Sequence, residues 1–302
     1  MISQWSARAG KIDRRPLAIL LVILLSASVL SAADKYSVTG LIVRVDSAHR
    51  QLIVSCQEVP GRMGAMVMPF QVQDAKALQG LRPALKIRFN AREDRDKILA
   101  ENIEIVTFES LELDPTQARR LKLLEKIAAP KPRPDALAPG NAVPDFTFID
   151  QSRQRVSLSE LSGKVVAVTF IYTRCPFPDY CFRLSNNFGD LQKRFADRMG
   201  KQLVLLSVVI DPANDQPDAM AAYARTWKAD TRSWHFLTGS PSDIEKLAHE
   251  FDMDFYPDEA LYIHSFHTVL IDRQGRLAAN LEGNDFTSKQ LGDLVESMIA
   301  AP

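Results

Sequence analysis

Val165-Val-Ala-Val-Thr-Phe-Ile-Tyr-Thr-Arg-Cys-Pro-Phe-Pro-Asp-Tyr-Cys181 decides the fold. Its first eight residues are almost wholly apolar and do not alternate, the pattern of a strand buried on both faces of a sheet. Two cysteines follow at once, in a loop leading to a helix that reads over 186–199. Leu203 to Ile210 is a second buried strand, and further helices read over 219–227, 244–251 and 288–299. Thr268 to Asp272 and Arg276 to Asn280 form a hairpin joined at Gln274-Gly275. Strands alternating with helices imply a central sheet covered by helices, so 141–302 reads as an α/β domain.

The chain upstream is of another kind. Residues 36–108 carry short strand patterns at Tyr36–Val45, Gln51–Ser55, Leu85–Phe89 and Ile103–Phe108, with no amphipathic helix between them. Short strands with tight turns suggest a small all-β barrel. Residues 109–140 read as a linker, with a charged helical stretch at 116–128 and then Ala129-Pro-Lys-Pro-Arg-Pro134 and Ala138-Pro-Gly140, where proline disfavours helix. Residues 1–33 have the order of a secretory signal: basic Arg8, Lys11, Arg14 and Arg15, an uncharged run from Leu17 to Leu30, then Ser31-Ala-Ala33. The apolar run is shorter than the ~20 residues a membrane-spanning helix needs, so cleavage is favoured over a retained N-terminal membrane anchor.

The 302 residues carry 37 basic and 37 acidic side chains, for a formal net charge of zero. That balance argues against nucleic acid as a partner, because such binding needs clustered Lys and Arg. Three cysteines are too few to build a disulfide fold, and their placement matters more than their number.

Cys175 and Cys181 stand where a helix N-terminus can stabilise a thiolate. Such a pair exchanges disulfides, holds soft metals such as Cu(I) and Zn, or forms a structural disulfide in an exported chain. Five intervening residues are wider than the Cys-x-x-Cys redox motif. His264, in Tyr262-Ile-His-Ser-Phe-His-Thr268, precedes an apolar strand, and with two thiolates it would complete a site for copper in either oxidation state. His267 competes with it; in one extended strand the two point to opposite faces. A third cluster is Cys56-Gln-Glu-Val-Pro-Gly-Arg-Met63-Gly-Ala-Met66-Val-Met68, four sulfur side chains within 13 residues. Met66 and Met68 share a face if the stretch is extended, and thioether ligation of Cu(I) competes there with methionine as core filler.

Several stretches carry a family resemblance. Val143-Pro-Asp-Phe-Thr-Phe, Val168-Thr-Phe-Ile-Tyr-Thr-Arg-Cys-Pro, Val208-Val-Ile-Asp-Pro-Ala-Asn-Asp215 and His264 followed by Leu270-Ile-Asp272 together resemble the Sco/SenC family of thioredoxin-like copper proteins. That resemblance implies a thioredoxin-like fold and copper, Cu(I) or Cu(II), held by Cys175, Cys181 and His264, with the alignment to Leu270-Ile-Asp272 favouring His264 over His267. The commonest family spacing places three residues between the cysteines, where this chain has five. Residues 36–108 resemble the CusF-like periplasmic copper-binding domain, a five-stranded OB-like barrel that uses His, Met and Met with a covering Trp. Met66 and Met68 match its methionines, Cys56 stands where the His is expected, and Met63 stands where the Trp would be.

The resemblances imply an exported, periplasmic copper chaperone that delivers copper to the binuclear copper centre of a respiratory cytochrome oxidase. Its partners would be the oxidase's copper-bearing subunit, or another periplasmic copper protein, and a thiol reductant. The rival class is a thiol–disulfide oxidoreductase using Cys175 and Cys181 as catalytic residues on a partner's cysteines. In an oxidising compartment Cys175 and Cys181 would pair and leave Cys56 unpaired.

Overall fold

The structure is a computed structural model and describes residues 35–106, 136–258 and 261–301. The signal expected at 1–33 and the helical stretch expected at 116–128 lie outside the described residues. No described helix is long and apolar enough to cross a membrane.

Five strands close into a barrel: β1 (Lys35–Asp46), β2 (Gln51–Cys56), β3 (Val67–Gln71), β4 (Lys86–Asp94) and β5 (Lys97–Ile105), in the order β1-β2-β3-β5-β4. β1 pairs with both β2 and β4, so it must bend, and its register shifts between Ile42 and Arg44. Gly40 sits where the bend presses β1 onto β2. A Cβ there would lie 2.5 Å from Val54 Cγ1 and 2.7 Å from the Ser55 carbonyl, a space only glycine fits. Alternate residues fill the interior: Val38, Ile42, Leu52, Val54, Phe70, Ile87 and Phe89, with Phe70 and Phe89 packed edge to face at 4.7 Å. Two strands differ from the sequence expectation. β3 was not anticipated, since Val67-Met-Pro-Phe-Gln71 contains a proline. β5 begins at Lys97, six residues before the expected start, because the exposed Lys97, Asn102 and Glu104 break the alternation.

The second unit is a seven-stranded sheet in the order β14-β13-β8-β9-β10-β6-β7. It comprises β6 (Thr147–Asp150), β7 (Arg155–Ser157), β8 (Val165–Ile171), β9 (Leu203–Val209), β10 (Trp234–Thr238), β13 (His267–Ile271) and β14 (Leu277–Glu282). A separate hairpin is formed by β11 (Phe255–Asp258) and β12 (Leu261–His264). Parallel β8, β9 and β10 form the centre, and every residue of β8 and β9 is buried, as unbroken apolar runs require. Helices α1 (Arg183–Arg194), α2 (Pro217–Thr226), α3 (Pro241–Glu250) and α4 (Ser288–Ala300) complete the unit. α4 starts with a reciprocal capping box, in which Thr287 and Gln290 satisfy each other's backbone N–H groups. α1 starts three residues earlier than expected, immediately beyond the second cysteine of the loop.

Barrel and sheet meet at α4. The buried Ser55 hydroxyl donates to Asp293 at 2.6 Å, and Gln290 Nε2 donates to the Ser55 carbonyl at 3.1 Å. Asp293 also accepts from Arg194 at 2.8 Å and Lys289 at 2.7 Å. Burial pushes this carboxyl's pKa up, but the bonds from Lys289, Ser55 and Arg194 outweigh it and hold the pKa below the ordinary value. Asp293→Ala is therefore expected to destabilise the chain by about 1–3 kcal/mol in urea unfolding, since it orphans a buried hydroxyl. A depressed folded-state pKa gives stability that is present above the unfolded value, near ~4, and is lost as pH falls through the folded value. The loss in the variant should accordingly be full at pH 7 and shrink under strong acid.

Candidate metal and thiol site

The C-terminal end of β8 runs directly into the cysteine loop. Cys175 lies four residues beyond the strand, and Cys181 lies in a distorted turn at Pro178–Phe182 that leads into α1. Both are buried, Cys181 completely, and both are free thiols. The neighbouring Cys181 thiol is the main reason the Cys175 pKa falls to about 6, below that of an ordinary thiol. Burial opposes the shift, and the backbone N–H groups of Phe177 and Cys181 reinforce it. Cys181 moves the other way, raised by burial and by holding its proton against Cys175. One thiol of the pair is thus poised as a nucleophile and soft ligand while its neighbour stays protonated.

The loop is clamped by the segment just beyond β9. Asp215, fully buried, accepts the Thr173 N–H at 3.1 Å and the Thr173 hydroxyl. Asp211 accepts the Arg174 guanidinium at 2.6 Å and the Asn214 amide at 3.1 Å. These two carboxylates fix the two residues before Cys175, a role that sequence reading did not assign to them. The available signal was a pair of acids four apart, around Pro212, at the end of a buried strand.

His264 closes β12 and is buried. Its Nδ1 lies 2.8 Å from the Ser265 carbonyl. A carbonyl can only accept, so Nδ1 carries the proton and the Nε2 lone pair is left for a ligand role. Burial lowers its pKa to about 4, so the ring is neutral near pH 7 and has no proton to lose on binding a cation. Tyr172 lies between the two halves of the site: its ring meets His264 edge-on at 6.1 Å, and its buried hydroxyl has no hydrogen-bond partner. Phe266 packs on His264 at 4.8 Å and on Tyr180 of the cysteine loop at 4.8 Å. The imidazole is brought to the thiol loop through these rings. Among the described residues, however, no three His, Cys, Asp or Glu side chains are drawn together tightly enough to hold a metal.

The opposite-face argument about the two histidines needs correction. His264 and His267 do not share a strand: His264 pairs with Phe255 in the small hairpin, and His267 opens β13 opposite Glu282. The Ser265 N–H turns away to the Asp254 carbonyl between them. Both rings are buried, and His267 Nδ1 lies 2.9 Å from the Asn280 side-chain oxygen.

In the barrel, Cys56 ends β2 on the interior face with Leu52 and Val54. Its N–H donates to the Met66 carbonyl at 2.9 Å, and Val54 pairs with Met68, so Cys56, Met66 and Met68 line one mouth of the barrel. Met66 is 43% exposed, whereas Met63 and Met68 are half-buried against the core that contains Cys56. Burial raises the Cys56 pKa to about 12, with the Lys289 charge partly offsetting it.

The SCO1/SenC family model matches residues 134–300, and the model described as copper binding periplasmic protein CusF matches 35–105. A SCO1 protein homolog from Bacillus subtilis is 36% identical over 108 residues, 35% of this chain and 54% of that protein. Protein sco1 from Schizosaccharomyces pombe is 27% identical over 162 residues, 50% of this chain and 59% of that one. The chain thus spans somewhat over half the length of these relatives. The crystal structure of a SCO1/SenC family lipoprotein from Bacillus anthracis is 27% identical with a TM-score of 0.48, covering 54% of this chain and 99% of that one.

The thiol electrostatics can be tested without metal. In the reduced chain, iodoacetamide should label Cys175 well below the ~8.5 pKa of a free thiol, while Cys181 and Cys56 label slowly across neutral pH. Peptide mass spectrometry across a pH series reads all three; equal labelling of Cys175 and Cys181 would contradict the assignment.

Proposed function

The chain belongs to the SCO1/SenC family, and from that premise we propose that it is an exported copper carrier with two soft-ligand sites. The first site is Cys175, Cys181 and His264, and the second is Cys56, Met66 and Met68. The observation that carries the first is the split thiol pair beside a neutral imidazole whose Nε2 is free of backbone bonding. A thiolate, a second sulfur and an imidazole suit copper in either oxidation state, and copper here is cargo. Copper binding would have to draw His264 and the two sulfurs closer together, since the three side chains are not closed into one cluster. The destination we propose is the copper-bearing subunit of a respiratory cytochrome oxidase. Delivery would take place outside the cytoplasm, after export by the segment 1–33, with residues 36–108, 109–140 and 141–302 as barrel, linker and thioredoxin-like domain.

The barrel supports the second site by its chemistry. Met68 packs against the core that contains the buried Cys56 thiol, and Met66 adjoins Cys56 through a backbone hydrogen bond; two thioethers and a thiol are a set that favours Cu(I) over Zn(II). The Cys56 proton must leave if its sulfur is to bind as thiolate, so binding there should strengthen as pH rises.

The same thiol pair supports a second reading. The Cys175 thiolate can attack a partner disulfide to form a mixed disulfide. Cys181, once deprotonated, then displaces the partner's sulfur. The products are a Cys175–Cys181 disulfide and a partner dithiol, with two electrons transferred to the partner. A thiol reductant must then restore the pair before it can carry copper. Reduction of the target followed by copper delivery would use this one site twice.

In the Cu(II)-loaded chain, sulfur-to-copper charge-transfer absorption should disappear in Cys175→Ser/Cys181→Ser; wild-type absorption in that variant would sink the first site. For the barrel, Met66→Leu/Met68→Leu in the full chain should lower Cu(I) affinity at the second site by about tenfold or more in a competition titration. Its melting temperature should stay close to wild type, since these swaps nearly conserve volume. Unchanged affinity would return the methionines to a packing role.

A further inference from the structure

Residues 283–286 join β14 to α4 and are held at both ends. The Gly283 N–H donates to the Phe266 carbonyl at 2.8 Å, and Thr287 caps the helix. Between these points, two adjacent side chains serve different units. Asn284 is fully buried, and its amide donates to the Asp179 carbonyl, inside the loop between Cys175 and Cys181. Asp285 pairs with Lys86 at the start of β4, on the barrel. One turn into the helix, Gln290 and Asp293 bond Ser55, the neighbour of Cys56. The Asn284 side-chain oxygen is buried without a partner, so this side chain is held by its bond to the loop and not by a satisfied network of its own.

We propose that Asn284-Asp285 is a strut through which the barrel sets the dithiol–disulfide equilibrium of the Cys175–Cys181 loop. The inference rests on the reading that these two cysteines exchange between the two states. The direction follows from the state in which the strut is made. Both thiols are free while Asn284 holds Asp179. A disulfide needs its sulfurs about 2.05 Å apart, closer than a thiol–thiol hydrogen bond allows, so the loop carrying Asp179 must readjust. A bond made in the dithiol form stabilises that form, and weakening either end of the strut favours the disulfide. By reciprocity, forming the disulfide loosens the hold of Lys86 on Asp285 and with it the seating of the barrel.

The test equilibrates the full chain with glutathione buffers of graded ratio. Two protein thiols give two electrons and two protons to glutathione disulfide, which leaves as two thiols. Alkylation and peptide mass spectrometry count the paired cysteines. Asn284→Ala should raise the oxidation constant about fivefold or more, equivalent to about 20 mV for a two-electron couple. Lys86→Ala should shift it in the same direction by a smaller factor, and Lys86→Arg should restore the wild-type value. Lys86→Ala lies outside the loop and keeps the test decisive if Asn284→Ala does not fold. A wild-type chain that titrates normally beside a Lys86→Ala chain that matches it, or shifts oppositely, overturns the coupling alone. A wild-type chain that forms no Cys175–Cys181 disulfide at any ratio overturns the exchange reading and the coupling with it.

Discussion

The closeness of two buried thiols in the loop beyond β8 is the constraint on which the rest of the site depends, because the Cys181 thiol is the largest cause that lowers the Cys175 pKa to about 6. It leaves a thiolate-prone Cys175 beside a proton-holding Cys181, the latter raised first by its complete burial and then by Cys175. Keeping it requires that Cys175 be fixed beyond the end of β8, which Asp211 and Asp215 accomplish from the segment after β9 through Arg174 and Thr173. It also requires that the turn carrying Cys181 be held in a non-helical conformation, with Tyr180 at φ −111° and ψ −107° and Asn284 bonded to Asp179. The seven buried residues of β8 provide the rigid base for all of this.

The barrel uses burial differently. Cys56 shares the interior with Val54 and Leu52, and without a partner thiol its pKa rises where that of Cys175 falls. The same element therefore has opposite default states in the two units: a protonated thiol near thioethers at the barrel mouth, and a thiolate-prone pair beyond the end of a central strand. A site of the first kind suits Cu(I) by softness, and one of the second kind adds redox exchange to binding. Helix α4 touches the barrel through Ser55 and follows the turn that braces the cysteine loop, so one helix stands between the two chemistries.

Much of the fold was readable because burial on both faces leaves an unmistakable trace. β8 and β9 are continuous apolar runs, and the hairpin of β13 and β14 turns at Gly275, whose φ is +75°. β10 escaped notice because Trp234-His-Phe-Leu-Thr238 is short and includes His235, which turns to the buried carboxylate of Asp150. β3 escaped because its pairing tolerates Pro69, and the small hairpin of β11 and β12 because Pro257 interrupts it. In the candidate site, residue type singled out Cys175 and Cys181 and left His264 and His267 as competitors, and the family resemblance favoured His264. Three features were not legible: the break at Ser265 that separates the histidines into different strands, the acid clamp from just beyond β9, and the placement of Tyr172 between thiol and imidazole. Each is a contact between residues distant in sequence, set by which strand ends lie together.

The measurement that bears most directly on the account is the copper content of the reduced full chain after removal of excess metal. Two independent soft sites predict about two coppers per chain in the wild type and about one in Cys175→Ser/Cys181→Ser. The copper kept by that variant should be Cu(I) in a sulfur-only environment by X-ray absorption, as the barrel set of Cys56, Met66 and Met68 requires. The same copper content in wild type and variant, or none in either, would contradict the account.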